Sequence, residues 1–161
     1  MLLIALPSFW IFYFIFTPLT IYAVYFTLNL FFDVLLNGNV IILNGQISIE
    51  IIPACVAGSA YYLLLVLNLS IFKIKLSDRL KMISLSFLAF FIINVFRIFI
   101  LSTILLSSFT LFVISHKIFW YLLSTVFVVG IWFWEVKLFK IKEIPFFSDF
   151  KFLYKNSFLK K

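Results

Sequence analysis

An intrachain disulfide is excluded, because the chain holds a single cysteine, Cys55. A zinc peptidase fares no better. His116 is the only histidine, no HExxH pattern occurs, and too few ligands remain for a metal. No metal and no other cofactor is expected. Acidic residues number 6 against 13 basic ones. Even so, no basic soluble module exists to carry nucleic-acid binding. Polar residues along the apolar segments are too sparse to line a transporter or channel pathway. There is no internal repeat. The N-terminus has neither a basic n-region nor a clean small-residue cleavage site, so it reads as a retained span.

What is present is apolar: 65% of the residues are hydrophobic. That composition points to an all-α polytopic membrane protein. A bilayer core takes about 20 helical residues per crossing. The chain has room for about four or five crossings and no separate soluble domain, so 1–161 reads as one membrane domain. The expected spans are Phe9–Leu35, divided by Pro18; Pro53 or Ala54 to Phe72; Leu80–Leu106; and Ser115–Phe139. Ser107–Ile114 is expected to be a short outer turn. Asn37-Gly38-Asn39 and the alternating Ile47-Ser48-Ile49-Glu50-Ile51 predict a small β-hairpin before the second span. It belongs at the interface, since open sheet edges are not tolerated in lipid.

Charge placement sets the orientation. Lys73, Lys75, Arg79 and Lys81 crowd one loop, and seven lysines from Lys137 onward crowd the C-terminus. Both segments therefore face the cytoplasm, and 140–161 reads as a basic tail along the inner leaflet. The second span then begins outside, which puts Cys55 at the outer surface. Arg97 lies about 25 Å up the third span from Leu80, at 1.5 Å per residue. His116 opens the fourth span, again outside. Charge bias alone brings Cys55, Arg97 and His116 to one depth.

Those three types fit acyl transfer. A thiolate is a strong nucleophile, and a nearby imidazole can take its proton and later protonate a leaving amine. The first turn of a helix also favours a negative Cys55. A guanidinium cannot serve as the base, so Arg97 takes the electrostatic role at the developing oxyanion. Asn94, three residues earlier on the same face, is placed to orient Arg97 or the substrate backbone. Gly58 and Ser59 read mainly as close-packing residues, and Glu50 as a candidate partner for His116. A non-enzymatic assembly or scaffold subunit is the alternative reading. In it, Cys55 is a small buried hydrophobe and Arg97 pairs with another span.

Pro53-Ala54-Cys55-Val56-Ala57-Gly58-Ser59-Ala60, Asn94-Val95-Phe96-Arg97-Ile98 and His116 together resemble the exosortase/archaeosortase family. They resemble most its short archaeal members of the pacearchaeosortase type. The resemblance covers about 38–135, the shared catalytic core. It implies a membrane cysteine transpeptidase with Cys55 as nucleophile and Arg97 and His116 as its basic partners. The implied substrates are exported proteins ending in a short motif, a transmembrane stretch and a basic end. The implied acyl acceptor is a membrane lipid. In the commoner family pattern a hydroxyl residue follows the cysteine and then glycine. Here Val56 and Ala57 intervene before Gly58, and Ser59 is the nearest hydroxyl.

Overall fold

No charged residue interrupts the chain before Asp33, and one long helix, α1 (Leu2–Asn29), forms there. The computed structural model describes residues 2–71, 74–120 and 124–141. α1 runs through Pro18 without a break, but it ends at Asn29 rather than at the expected Leu35. The reason is the segment that follows. Val34–Asn37 is drawn off as β1, which pairs antiparallel with β2 (Val40–Leu43) across Gly38. β2 then pairs antiparallel with β3 (Ile47–Glu50), so the expected hairpin is a three-stranded meander, β1-β2-β3. A second Asn-Gly pair makes the second turn. Asn44 and Gly45 both adopt positive φ, at 50° and 67°, which those residue types tolerate. The register turns Val34, Ile41 and Leu43 inward against Val24 and Leu28 of α1.

After β3 the chain makes a short helix, α2 (Pro53–Val56), then α3 (Gly58–Leu69), α4 (Leu76–Ser107), α5 (Phe109–Ile118) and α6 (Ser124–Leu138). The expected second span is therefore two helices parted at Ala57, and Phe72 lies outside the described residues. α4 starts earlier than expected, with Asp78 in its first turn, where the helix dipole favours an acid. Arg79 donates to the carbonyl of Ile71 at 2.7 Å and ties the preceding connection to that turn.

The largest departure follows α4. Ser107–Ile114 is not a turn. The backbone extends for one residue, Ser108, whose hydroxyl accepts the N–H of Leu111 and caps α5. His116 accordingly stands in the last turn of α5 rather than at the start of a span. The expected span Ser115–Phe139 divides between α5 and α6. The tail beyond residue 141 lies outside the described residues.

The protein is mainly helical with one small sheet. Two helical stretches, Trp10–Asn29 of α1 and all of α4, are long and apolar enough to cross a membrane. α1, α3 and α4 pack together, with α6 against α3 and α4 and with α5 against α4. Tyr61 is fully buried between them, its ring stacked 3.8 Å from that of Phe16. Gly58 permits a close approach: a Cβ there would stand 2.8 Å from the Tyr13 ring.

Polar residues on α4 recur on its buried face. Ser86, Asn94, Arg97 and Ser102 alternate there with Met82, Phe90 and Leu101, at the spacing of one helical stripe. Toward the α3 C-terminus the stripe meets a polar cluster. Asn68 donates to Ser86 Oγ at 3.2 Å and to Glu135 Oε2 at 3.3 Å, and all three residues are buried. Asn68→Leu removes the donor and strands the carboxyl. The expected cost is about 1–3 kcal/mol, read as a lower unfolding temperature in detergent. Glu135→Leu added to it should recover much of the loss. Further destabilisation by the double change would show that the cluster does not act through Asn68.

Candidate active site

The site begins where the sheet hands over to helix. Only Ile51 and Ile52 separate β3 from Pro53, which occupies the first turn of α2, where its missing N–H costs nothing. The N–H of Cys55 bonds the carbonyl of Ile52 at 2.8 Å. α2 then stops at Ala57, which adopts the left-handed conformation at φ 56° and ψ 46°. A non-glycine residue there costs about 1–2 kcal/mol. Fully buried Val56 on one side and Gly58 against Tyr13 on the other hold it in place.

The break interrupts the helical i to i+4 ladder, and the carbonyl of Cys55 is met by α4 instead. Asn94 Nδ2 donates to it at 2.9 Å and Arg97 Nη2 at 3.1 Å. Two buried side chains of α4 thus clamp the turn that carries the only thiol. The helix face that spacing assigned to Asn94 and Arg97 is the face that meets Cys55. The bond to the carbonyl uses one of the five donors of the guanidinium.

Cys55, Arg97 and His116 line a single cavity of about 470 Å³, a size that suits a ligand site. They come from α2, α4 and α5. The thiol residue is half-buried, Arg97 is only 8% exposed, and His116 is half-buried. The His116 ring packs edge-on against Phe112, with centroids 5.5 Å apart, and lies 6.3 Å from that of Trp120. Ile98, Leu101, Leu105 and Phe109 make the rest of this wall apolar, so the three polar groups sit in surroundings that strengthen electrostatic interactions.

Of the remaining candidates, Gly58 and Ser59 fall elsewhere and Glu50 reaches the cavity. Gly58 lies under Tyr13, outside the lining. Ser59 is exposed and also outside it. Glu50 lines the cavity, but its Oε1 accepts from Asn39 Nδ2 at 3.0 Å, which holds it to the sheet. Two features escape a reading by charge and spacing. One is the wall made by β3 through Ser48, Ile49 and Glu50, whose only hint was the alternation of that strand. The other is Trp120, readable as an interface aromatic and found beside His116. Among the described residues, no group of three or more His, Cys, Asp or Glu side chains could hold a metal.

No family model matches this chain, and neither a curated protein nor a solved structure is significantly similar to it.

Proposed function

We propose that this chain is a membrane-embedded cysteine transpeptidase or protease that cleaves C-terminal sorting signals of exported proteins at the extracytoplasmic face. The observation that carries the reading is the shared cavity, where a thiol, a guanidinium and an imidazole line one partly apolar space. In this reading His116 takes the Cys55 proton as sulfur attacks the scissile carbonyl. An S–C bond forms, and the carbonyl oxygen becomes negative beside Arg97. Collapse breaks the C–N bond, and His116 returns the proton to the leaving amine. The resulting thioester passes its acyl group to an acceptor, a membrane lipid in the leading version, and the thiol is restored.

The membrane setting is supported by an exterior of large apolar side chains. Trp10, Phe14 and Phe26 of α1, Phe96 of α4 and Phe133 of α6 are all more than half exposed, a surface that water does not tolerate over such an extent. About four spans, the β-sheet outside and the basic C-terminus inside follow from lysine and arginine bias. The resemblance to exosortases and archaeosortases fits the same residues in the same roles.

Because Cys55 is the only cysteine, thiol labelling reports on one site. In intact cells a membrane-impermeant maleimide should label it, and Cys55→Ala should remove the signal. The scaffold alternative predicts a thiol that no external reagent reaches. Labelling only after the membrane is permeabilised would place the thiol inside and end the outward-facing reading.

A further inference from the structure

We infer that the free edge of β3 is the docking strand for the substrate. The residues beside the cleaved bond bind in extended form, as a fourth strand of the sheet. This rests on the cysteine transpeptidase reading and adds how the peptide is held.

The sheet order β1-β2-β3 leaves one long side of β3 without a paired strand among the described residues. Strand parity says which peptide groups point that way. Ile51 N–H bonds Asn39 O at 2.9 Å, on the β2 side. Peptide groups alternate along a strand, so those of Ile47 and Ile49 also face β2, while those of Ser48 and Glu50 face outward. Ser48 and Glu50 both line the cavity that holds the thiol. The bare edge is therefore a wall of the reaction space.

The length fits as well. From Ser48 to Ile52 the edge extends about 13 Å at roughly 3.3 Å per residue, enough for about four residues of an added strand. Ile51 and Ile52 then lead straight into α2, so the edge runs toward the turn that carries Cys55, and both line one cavity. Protein sheets usually guard an open edge with lysine, proline or a bulge. β3 has none of these: Ile47–Glu50 pairs with β2 without interruption, and the strand contains neither lysine nor proline. Strand addition binds through main-chain groups and leaves side-chain choice to pockets at alternate positions. Here the apolar wall of Leu101, Leu105 and Phe109 is such a pocket.

The test uses the full chain in membranes and two electrophiles that alkylate cysteine: chloroacetamide and a randomised mixture of tetrapeptidyl chloromethyl ketones. The peptide mixture should alkylate Cys55 at least tenfold faster than chloroacetamide, relative to their rates with free thiol. N-methylation of the probe should remove that advantage at one backbone position and spare it at the next. Ser48→Pro or Glu50→Pro each deletes one outward N–H at a position where an edge strand accepts proline. Each should bring the ratio of the two rates close to one. An advantage insensitive to N-methylation and to both proline changes overturns the inference, as does equal loss at every N-methylated position. In a Cys55→Ala background, Ser48→Cys chains that form disulfide dimers would show the edge occupied by a second copy, which also overturns it. The methylated probes leave the protein unaltered, so misfolding cannot mimic the alternation. If Cys55 reacts with neither electrophile, the nucleophile assignment itself falls and takes the docking strand with it. If Cys55 reacts and exported protein is processed but the alternation is missing, only the docking strand falls.

Discussion

If the proposed function holds, Cys55→Ala is expected to abolish processing of a co-expressed exported protein that ends in a short motif, a transmembrane stretch and a basic end, and Cys55→Ser to leave almost nothing. The expected loss is on the order of 10⁴-fold or more, the scale seen when a covalent nucleophile is removed. Serine keeps the shape but not the chemistry. Its hydroxyl is far harder to ionise than a thiol, and His116 would have to activate it in a pocket arranged for sulfur. The readout is the C-terminus of the exported protein, followed by gel mobility and intact mass. Alanine and serine variants that process as well as the parent would rule out a thioester. The carbonyl of residue 55, not its side chain, receives Asn94 and Arg97, so both substitutions leave the clamp intact and the comparison isolates the sulfur.

Arg97→Lys has the second largest expected effect, a fall of about 10²–10³-fold in turnover, as when one oxyanion donor is lost. Lysine keeps the charge but loses the planar fork, which in the proposed function holds the Cys55 carbonyl and meets the oxyanion at once. The proposed function gives the fork two duties, the clamp and the oxyanion, and Asn94→Ala separates them, because Asn94 shares the clamp. If Arg97→Lys loses far more than Asn94→Ala, the guanidinium acts on the reacting atoms. If the two lose the same amount, Arg97 only positions the turn. The split is measured as turnover against half-saturating substrate concentration.

The helical regions were legible because their signals are long. α1 and α4 announce themselves by length and apolarity, and one face of α4 by the spacing of Asn94 and Arg97. Short-range backbone chemistry was harder to read. Asn44-Gly45 is the same dipeptide as Asn37-Gly38, yet it reads as part of one strand, and a third strand goes unseen. Ser108 is a good N-cap, but it sits in a run of apolar and hydroxyl residues that resembles a loop, so α5 was missed and His116 was assigned to the wrong element. The left-handed Ala57 left no trace in sequence, since alanine is the residue least expected to break a helix. The buried cluster of Asn68, Ser86 and Glu135 was readable in principle. Polar groups on apolar helices are costly and seek partners, but three such residues far apart in sequence do not name one another.

The clamp on Cys55 comes from residues 39 and 42 positions further along the chain. A ribosome must therefore deliver most of α4 before the thiol-bearing turn has its anchor, and α5 must follow before the imidazole arrives. In the proposed function, the emerging polypeptide therefore holds its sulfur latent during biogenesis, and the site is complete only on a chain whose helices have already assembled.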